Sequence, residues 1–170
     1  LTGAMALTLL TACGGNAVND KNIADALNDI VKSSVAAGLT KDYTFKPRTD
    51  EQAMAKAIAA LSEAEWNTKG DGDNKFSGPV MKILELNEGG KNETSCFVWY
   101  GAVFADEIGV TGQAYNVMNN ILSKDAVNAD KLEGEPADIR YIGTALDTLT
   151  IYGKQTTVRI IVVTAPVEKK

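Results

Sequence analysis

The chain has 170 residues, of which 45% are apolar, 23% are charged and only 4 are proline, a balance typical of one globular domain rather than a disordered chain. Its formal net charge of −5, from 17 Lys and Arg against 22 Asp and Glu without a basic cluster, argues against a nucleic-acid partner. The absence of histidine excludes Ser-His-Asp and Cys-His catalysis and removes the commonest ligands of zinc and haem.

The N-terminal segment, residues 1–12, contains no charged side chain and is mostly apolar. Its length and composition are typical of the core of an export signal. The segment is too short to span a bilayer, which requires about 20 apolar residues. We therefore predict a signal peptide over residues 1–12. The alternative is a buried helix or strand, with Cys13 an ordinary buried thiol.

The end of this segment, Leu10-Thr11-Ala12-Cys13, is followed by Gly14-Gly15 and resembles the lipobox of bacterial lipoproteins. The resemblance implies that Cys13 carries a diacylglycerol and is the first residue of the mature protein. Because two acyl chains anchor a protein stably, it also implies attachment to the cell membrane or the outer membrane, with the domain exported. Neither an initiator Met nor a Lys or Arg precedes the apolar run, so we expect a signal peptide truncated at its start.

The boundary of the domain follows from this expectation. Residues 13–19 are predicted to hold the lipidated cysteine and a short tether, and residues 20–170 a single α+β domain. Lipidation of Cys13 leaves Cys96 without a partner cysteine in the chain, and its apolar surroundings predict a small buried residue in a strand. A Cys13–Cys96 disulfide is the alternative if no lipid is added.

Two amphipathic helices are predicted after the tether. Apolar residues at three- and four-residue steps indicate the first helix over about residues 20–37, stopped by Gly38. Thr49 is expected to cap the second helix in a capping box with Gln52, and this helix should end near Trp66. The expected buried face of the second helix consists of Ala53, Met54, Ala57, Ile58, Leu61 and Ala64.

A polar stretch over residues 67–78 contains Asp71, Asp73 and Asn74, oxygen-bearing side chains of the kind that bind calcium. The spacing does not match an EF-hand loop, since Lys75, Phe76 and Lys82 stand where a ligand, a glycine and a glutamate are required. We therefore predict a solvated turn and no metal site.

The second half of the chain is predicted to form strands. Residues 80–86 and 95–105 are expected to pair as a hairpin around Gly89-Gly90-Lys91-Asn92, with the second strand central in the sheet. A helix capped by Thr111 should follow and pack on the sheet before Lys124.

The last strands are predicted to form a hairpin about Gly153-Lys154 in a type II′ turn, which places Leu149 opposite Val158. Residues 139–145 are a further candidate strand, weakened by Gly143. The expected fold is therefore α+β, with two N-terminal helices, a mostly antiparallel sheet of about four to five strands, and one further packing helix.

Acidic side chains are what the sequence leaves for catalysis. Asp106 and Glu107 follow a strand, and Asp138 and Asp147 lie near the C-terminal strands, so two of them form a general acid and base if the fold brings them together. Otherwise they are solvated acids, and we predict no catalytic, cofactor-binding or metal-binding residue.

Two functions follow as hypotheses. The first is a non-catalytic binding or assembly module of the cell envelope, anchored to the membrane through Cys13, with an envelope protein or glycan as its partner. The alternative is a carboxylate-dependent hydrolase acting on envelope or extracellular glycan.

Overall fold

The computed structural model describes residues 18–67, 76–86 and 96–168. Its helices are α1 (Asp20–Ala36), α2 (Thr49–Ala59), α3 (Glu63–Trp66), α4 (Gly78–Ile83) and α5 (Val110–Val117), and α5 runs into a π-helical turn at Met118–Leu122. Its strands are β1 (Thr44–Pro47), β2 (Cys96–Phe104), β3 (Glu135–Pro136), β4 (Ile139–Ile151) and β5 (Lys154–Glu168). The predicted α+β class is confirmed.

The strands form one five-stranded sheet in the order β1-β4-β5-β2, with β3 pairing with the end of β5. Only β1 runs parallel to its neighbour, and the other pairs are antiparallel. The central strands are therefore β4 and β5, and the prediction that β2 is central was wrong. Strand β2 is apolar because helices cover both faces of the sheet, and Phe97 and Val98 are buried on opposite faces.

Alternate residues of β5 supply two separate cores. On one face, which we call the α1 face, Ile161 and Val163 pack with buried residues of α1 and α5, including Leu27 and Val117. On the other, the α2 face, Ile160, Val162 and Val158 pack with residues of α2, α3 and α4, including Ile58, Trp66 and Val80. A strand buried on both faces is apolar at nearly every position, which explains the run at residues 160–163.

The first helix follows its prediction closely. Asn19 caps it by accepting a 2.9 Å hydrogen bond from the backbone N–H of Asn22, and Ile23, Leu27 and Val31 form its buried side. Gly38, just beyond its end, has a φ of 70°, which a glycine adopts without steric cost.

The second helix differs from its prediction in its cap, its length and its face. Thr49 is its first helical residue, Arg48 precedes it without a side-chain cap, and the helix ends at Ala59. The capping box lies instead on α3, between Ser62 and Glu65. The buried side consists of Glu51, Ala55 and Ile58, because the helix is rotated to bury the carboxylate of Glu51 against the sheet.

Residues 78–83 form α4, and the strand predicted at residues 80–86 was wrong. Val80 and Leu84 are four residues apart and both fully buried, a helical spacing that a short apolar run does not distinguish from a strand. The turn predicted at residues 89–92 lies outside the described residues. The helix predicted from Thr111 is α5, but Gly109 occupies its N-cap position and Thr111 makes no cap.

The C-terminal hairpin forms, with a different turn and register. Ile151 pairs with Lys154 and Leu149 with Thr156, a shift of two residues from the predicted pairing, which leaves every side chain on its expected face. Tyr152 and Gly153 have φ values of 50° and 75°, so both central residues are left-handed and the turn resembles type I′ rather than the predicted type II′.

Gly143 does not weaken its strand. It lies in the middle of β4, where α2 approaches so closely that a β-carbon on Gly143 would come within 2.0 Å of the backbone nitrogen of Gln52. The glycine is therefore what allows the helix to pack on the sheet at this point.

Candidate functional site

A groove of about 440 Å³ opens at the end of the sheet farthest from the hairpin turn. Three segments converge there, namely the loop after α1, the β3 region leading into β4, and the end of β5. We call it the Arg140 groove, and its lining consists of Thr40, Lys41, Tyr43, Glu135, Pro136, Asp138, Arg140 and Glu168.

Arg140 is held in the groove by aromatic rings. Its guanidinium carbon lies 4.5 Å from the ring centre of Tyr43 and 4.7 Å from that of Trp99, both within the range of a cation–π interaction. Its Nε is buried and has no hydrogen-bond partner, and no described carboxylate forms an ion pair with it. The Nε of this arginine is therefore a donor without an acceptor among the described residues.

Burial lowers the pKa of Arg140 from its ordinary value, whereas Tyr43 and the negative charge of Asp138 act in the opposite direction. An arginine keeps its charge at every physiological pH, so the groove contains a permanent cation. Burial likewise raises the pKa of Tyr43, and the charge of Arg140 opposes this rise.

The aromatic wall of the groove is fixed by its own packing. Tyr43 donates a hydrogen bond of 3.7 Å to the sulfur of Met118 and meets the ring of Phe45 edge to face at 5.5 Å between centroids. The indole N–H of Trp99 donates to the carbonyl of Lys124 at 3.0 Å. The rings that hold Arg140 are thus positioned before any ligand arrives.

Charges of both signs surround Arg140. Lys41 is the second cation of the lining, and Glu135, Asp138 and Glu168 are its acids. The described lining therefore carries charges of both signs around a cationic centre.

Two other arginines show the contrast with Arg140. Arg159 is buried, and it donates to the side-chain oxygens of Gln113 and Thr144 at 2.8 Å each and to the carbonyl of Val18 at 3.0 Å. Its contact with Val18 ties the start of the described chain to the middle of the sheet, so Arg159 has a structural role.

Arg48 is engaged in the same structural way on the α2 face. It forms an ion pair with Glu51 through both of its hydrogen-bonding nitrogens, one at 2.7 Å, and its guanidinium carbon lies 3.9 Å from the ring centre of Tyr141. Thr164 also donates a 2.6 Å hydrogen bond to the buried carboxylate of Glu51.

The four acids named from the sequence lie in different places. Asp106 accepts a 2.6 Å hydrogen bond from the backbone N–H of Thr157, and Glu107 is exposed with a φ of 58°. Asp138 lines the Arg140 groove, whereas Asp147 lies on the α2 face. Along a strand Asp138 and Asp147 are about 30 Å apart, too far to act on one bond.

Asp147 has the most perturbed surroundings of the four. Burial and then the nearby charge of Glu63 raise its pKa, against hydrogen bonding from the backbone of Thr148 and the influence of Trp66. The indole nitrogen of Trp66 and one carboxylate oxygen of Asp147 are both buried, but neither reaches hydrogen-bond geometry with a partner. Burial and the charge of Asp147 also raise the pKa of Tyr100.

Several predicted positions fall outside the described residues, namely Cys13, the residues of the leader, and Asp71, Asp73 and Asn74. Cys96 is partly buried at the start of β2 and forms no disulfide within the described chain. Over residues 18–67, 76–86 and 96–168, no group of three His, Cys, Asp or Glu side chains is arranged to hold a metal ion. The helices in these ranges are too short or too polar to cross a membrane.

Sequence reasoning missed the Arg140 groove, because Tyr43, Trp99 and Arg140 are far apart in the chain and meet only through the β1-β4 pairing and the packing on β2. The only local signal was an arginine at the start of a strand that is apolar over most of its first half.

The class that the fold and groove define is an α+β domain with a mostly antiparallel sheet covered by helices on both faces. Comparison with protein-family models, with curated protein sequences and with solved structures finds no match to this chain.

Proposed function

We propose that this chain is a membrane-anchored lipoprotein of the bacterial cell envelope, whose folded domain is a non-catalytic binding or assembly module. The observation that carries the proposal is Leu10-Thr11-Ala12-Cys13 at the end of an uncharged apolar run. Envelope proteins or glycans are the partners we expect for such a module.

The short distance along the chain between Cys13 and the domain supports a membrane-proximal position. Val18 already contacts Arg159, and 18 − 13 gives 5 residues between the anchor and this contact. Five residues span at most about 18 Å even when fully extended. A lipid on Cys13 would therefore hold the domain against the membrane surface.

The helix α1 leads from the described start of the chain toward the Arg140 groove. Asp20, at the start of α1, accepts a hydrogen bond from Thr144 in the middle of β4. Asn28, further along, exchanges hydrogen bonds with Phe45, which is paired with Arg140 at the start of β4. The rise from Asp20 to Asn28 along the helix is about 12 Å, and Thr144 and Arg140 are about 13 Å apart along β4, so Arg140 lies roughly that far from the start of α1.

Localisation of a Cys13→Ala variant tests the proposal. Expressed from its complete reading frame, the unaltered protein should sediment with membranes and partition into detergent, whereas the variant should be released or retained unprocessed. A Cys96→Ala variant is the matched control and should stay in the membrane fraction. Membrane association that survives Cys13→Ala would contradict the proposal.

A second candidate function is a carboxylate-dependent hydrolase, and Asp147 is the observation in its favour. A carboxyl group with a raised pKa beside a second carboxylate, here Glu63, resembles the environment of a general acid. The test is turnover of envelope glycan by the purified protein, lost on Asp147→Asn and on Glu63→Gln but unaffected by the control Asp42→Asn.

A further inference from the structure

We infer that the Arg140 groove binds a small zwitterionic molecule, one that carries a carboxylate for Arg140 and an ammonium group for the acids of the lining. Free amino acids and the ends of short peptides have this chemistry. The inference deepens the proposed binding role and rests on it, but it does not depend on the lipid anchor.

The unpartnered Nε of Arg140 is the first step. Arg140 lines the groove between two aromatic rings, and its Nε has no acceptor among the described residues, which favours a ligand that supplies an acceptor. Arg48 and Arg159 have their acceptors within the fold, which makes Arg140 the exception among these three. The planar fork of a guanidinium matches the two oxygens of a carboxylate.

The acids of the lining are the second step. The lining places Asp138 and Glu168 beside the cations Lys41 and Arg140, and a doubly charged anion such as phosphate leaves these acids without a counter-charge. A ligand with one negative and one positive group satisfies both signs of charge. Asp138 is close enough to Arg140 for its negative charge to act on the pKa of the guanidinium. It is therefore the expected partner of the ammonium group.

Size and rigidity are the third step. The groove of about 440 Å³ falls in the range of small-molecule sites, which is about 300–1,000 Å³. The ring of Tyr43 is fixed by Met118 and Phe45, so the wall needs no rearrangement before binding. A preformed wall reduces the entropy lost on binding.

Calorimetric titration of the full-length protein with dialanine and its derivatives tests the inference. Dialanine carries both charges, its C-terminal amide lacks the carboxylate, and N-acetyl-dialanine lacks the ammonium group. We expect dialanine to bind and the amide to bind on the order of tenfold more weakly or worse, because one charge-assisted pair is lost. The acetylated form should also be weaker than dialanine.

Variants test which residue binds the carboxylate of the ligand and which binds its ammonium group. Arg140→Gln should reduce the affinity for dialanine on the order of tenfold, and Arg140→Lys should restore part of it, since it keeps the charge without the fork. Asp138→Asn should weaken dialanine but leave N-acetyl-dialanine unchanged. Lys154→Gln, at the opposite end of the sheet, is the control and should bind as the unaltered protein does.

Four results would overturn the inference: no binding of dialanine up to about 10 mM, equal binding of dialanine and its amide, tighter binding of inorganic phosphate than of dialanine, or an Asp138→Asn effect that is the same with and without the ammonium group. Thermal unfolding of each variant separates loss of binding from loss of the fold. Membrane attachment through Cys13 is measured separately, so a failure here leaves the lipoprotein proposal standing.

Discussion

Individual buried charges in this domain differ in how fully they are satisfied. Glu51 is completely buried, yet Arg48 and Thr164 occupy its carboxylate oxygens. One buried oxygen of Asp147 and the buried indole nitrogen of Trp66 miss hydrogen-bond geometry, although the indole still acts to lower the pKa of Asp147. Unsatisfied buried polar atoms are costly and are concentrated where a protein binds or reacts, so the unpartnered groups point to positions worth altering.

Replacing Gly143 by alanine should severely destabilise the fold. The new β-carbon would lie 2.0 Å from the backbone nitrogen of Gln52 and 2.1 Å from the carbonyl carbon of Glu51, and backbone atoms cannot yield as a flexible side chain can. We expect the free energy of unfolding to fall by about 3 kcal/mol or more, measured by urea denaturation. Gly78→Ala, which meets nothing within 4 Å, should change it by less than about 0.5 kcal/mol. An unchanged midpoint for Gly143→Ala would show that α2 does not pack here.

Asp147→Asn should stabilise the protein at neutral pH. Because the folded pKa of Asp147 is raised, the ionised carboxylate destabilises the folded state at pH above that value, and the penalty disappears as the pH falls below the ordinary value of 3.8. The gain should be less than about 1 kcal/mol, since the group is partly solvated. Denaturant titrations at pH 7 and pH 3.5 measure it, with Asp42→Asn as an exposed control. A gain that grows on acidification would contradict the assigned direction.

Single residues were predictable from the sequence where chemistry is local. Gly38 was correctly expected to end a helix, because its role depends only on its own φ and its neighbours. The role of Gly143 was not predictable, because it depends on a helix that approaches from elsewhere in the chain. The packing of Tyr43 and Trp99 against Arg140 was not predictable for the same reason, because these residues are far apart in the chain.

At the scale of elements, long and strongly periodic segments were predicted well and short ones poorly. α1 has 17 residues and one continuous buried side, whereas α4 has only 6 residues, too few for the helical period to be distinguished from a short apolar strand. The edge position of β2 was missed because a strand covered on both faces is as apolar as a central one.

The hairpin turn offers a test at this scale. Tyr152 is fully exposed and has a φ of 50°, a left-handed conformation that asparagine adopts more readily than tyrosine. We expect Tyr152→Asn to raise the free energy of unfolding by about 0.5–1 kcal/mol, measured by thermal and denaturant unfolding, because no packing is lost. Gly153→Ala, at a φ of 75°, should have the opposite effect, about 1 kcal/mol. Loss of stability in Tyr152→Asn would contradict the type I′ geometry.

In the whole molecule, the start of the described chain and the Arg140 groove lie at different places along the sheet. The start of the described chain is tied to the middle of the sheet through Val18 and Arg159, and α1 then runs toward the Arg140 groove. The sequence predicted the class of this fold but not the groove, which three distant segments create together.

Mass spectrometry of the protein extracted from its native membrane tests most directly whether Cys13 anchors this domain. We expect a mature chain that begins at Cys13, carries a diacylglycerol on its sulfur and lacks residues 1–12. A chain that retains residues 1–12 with an unmodified Cys13 would contradict it.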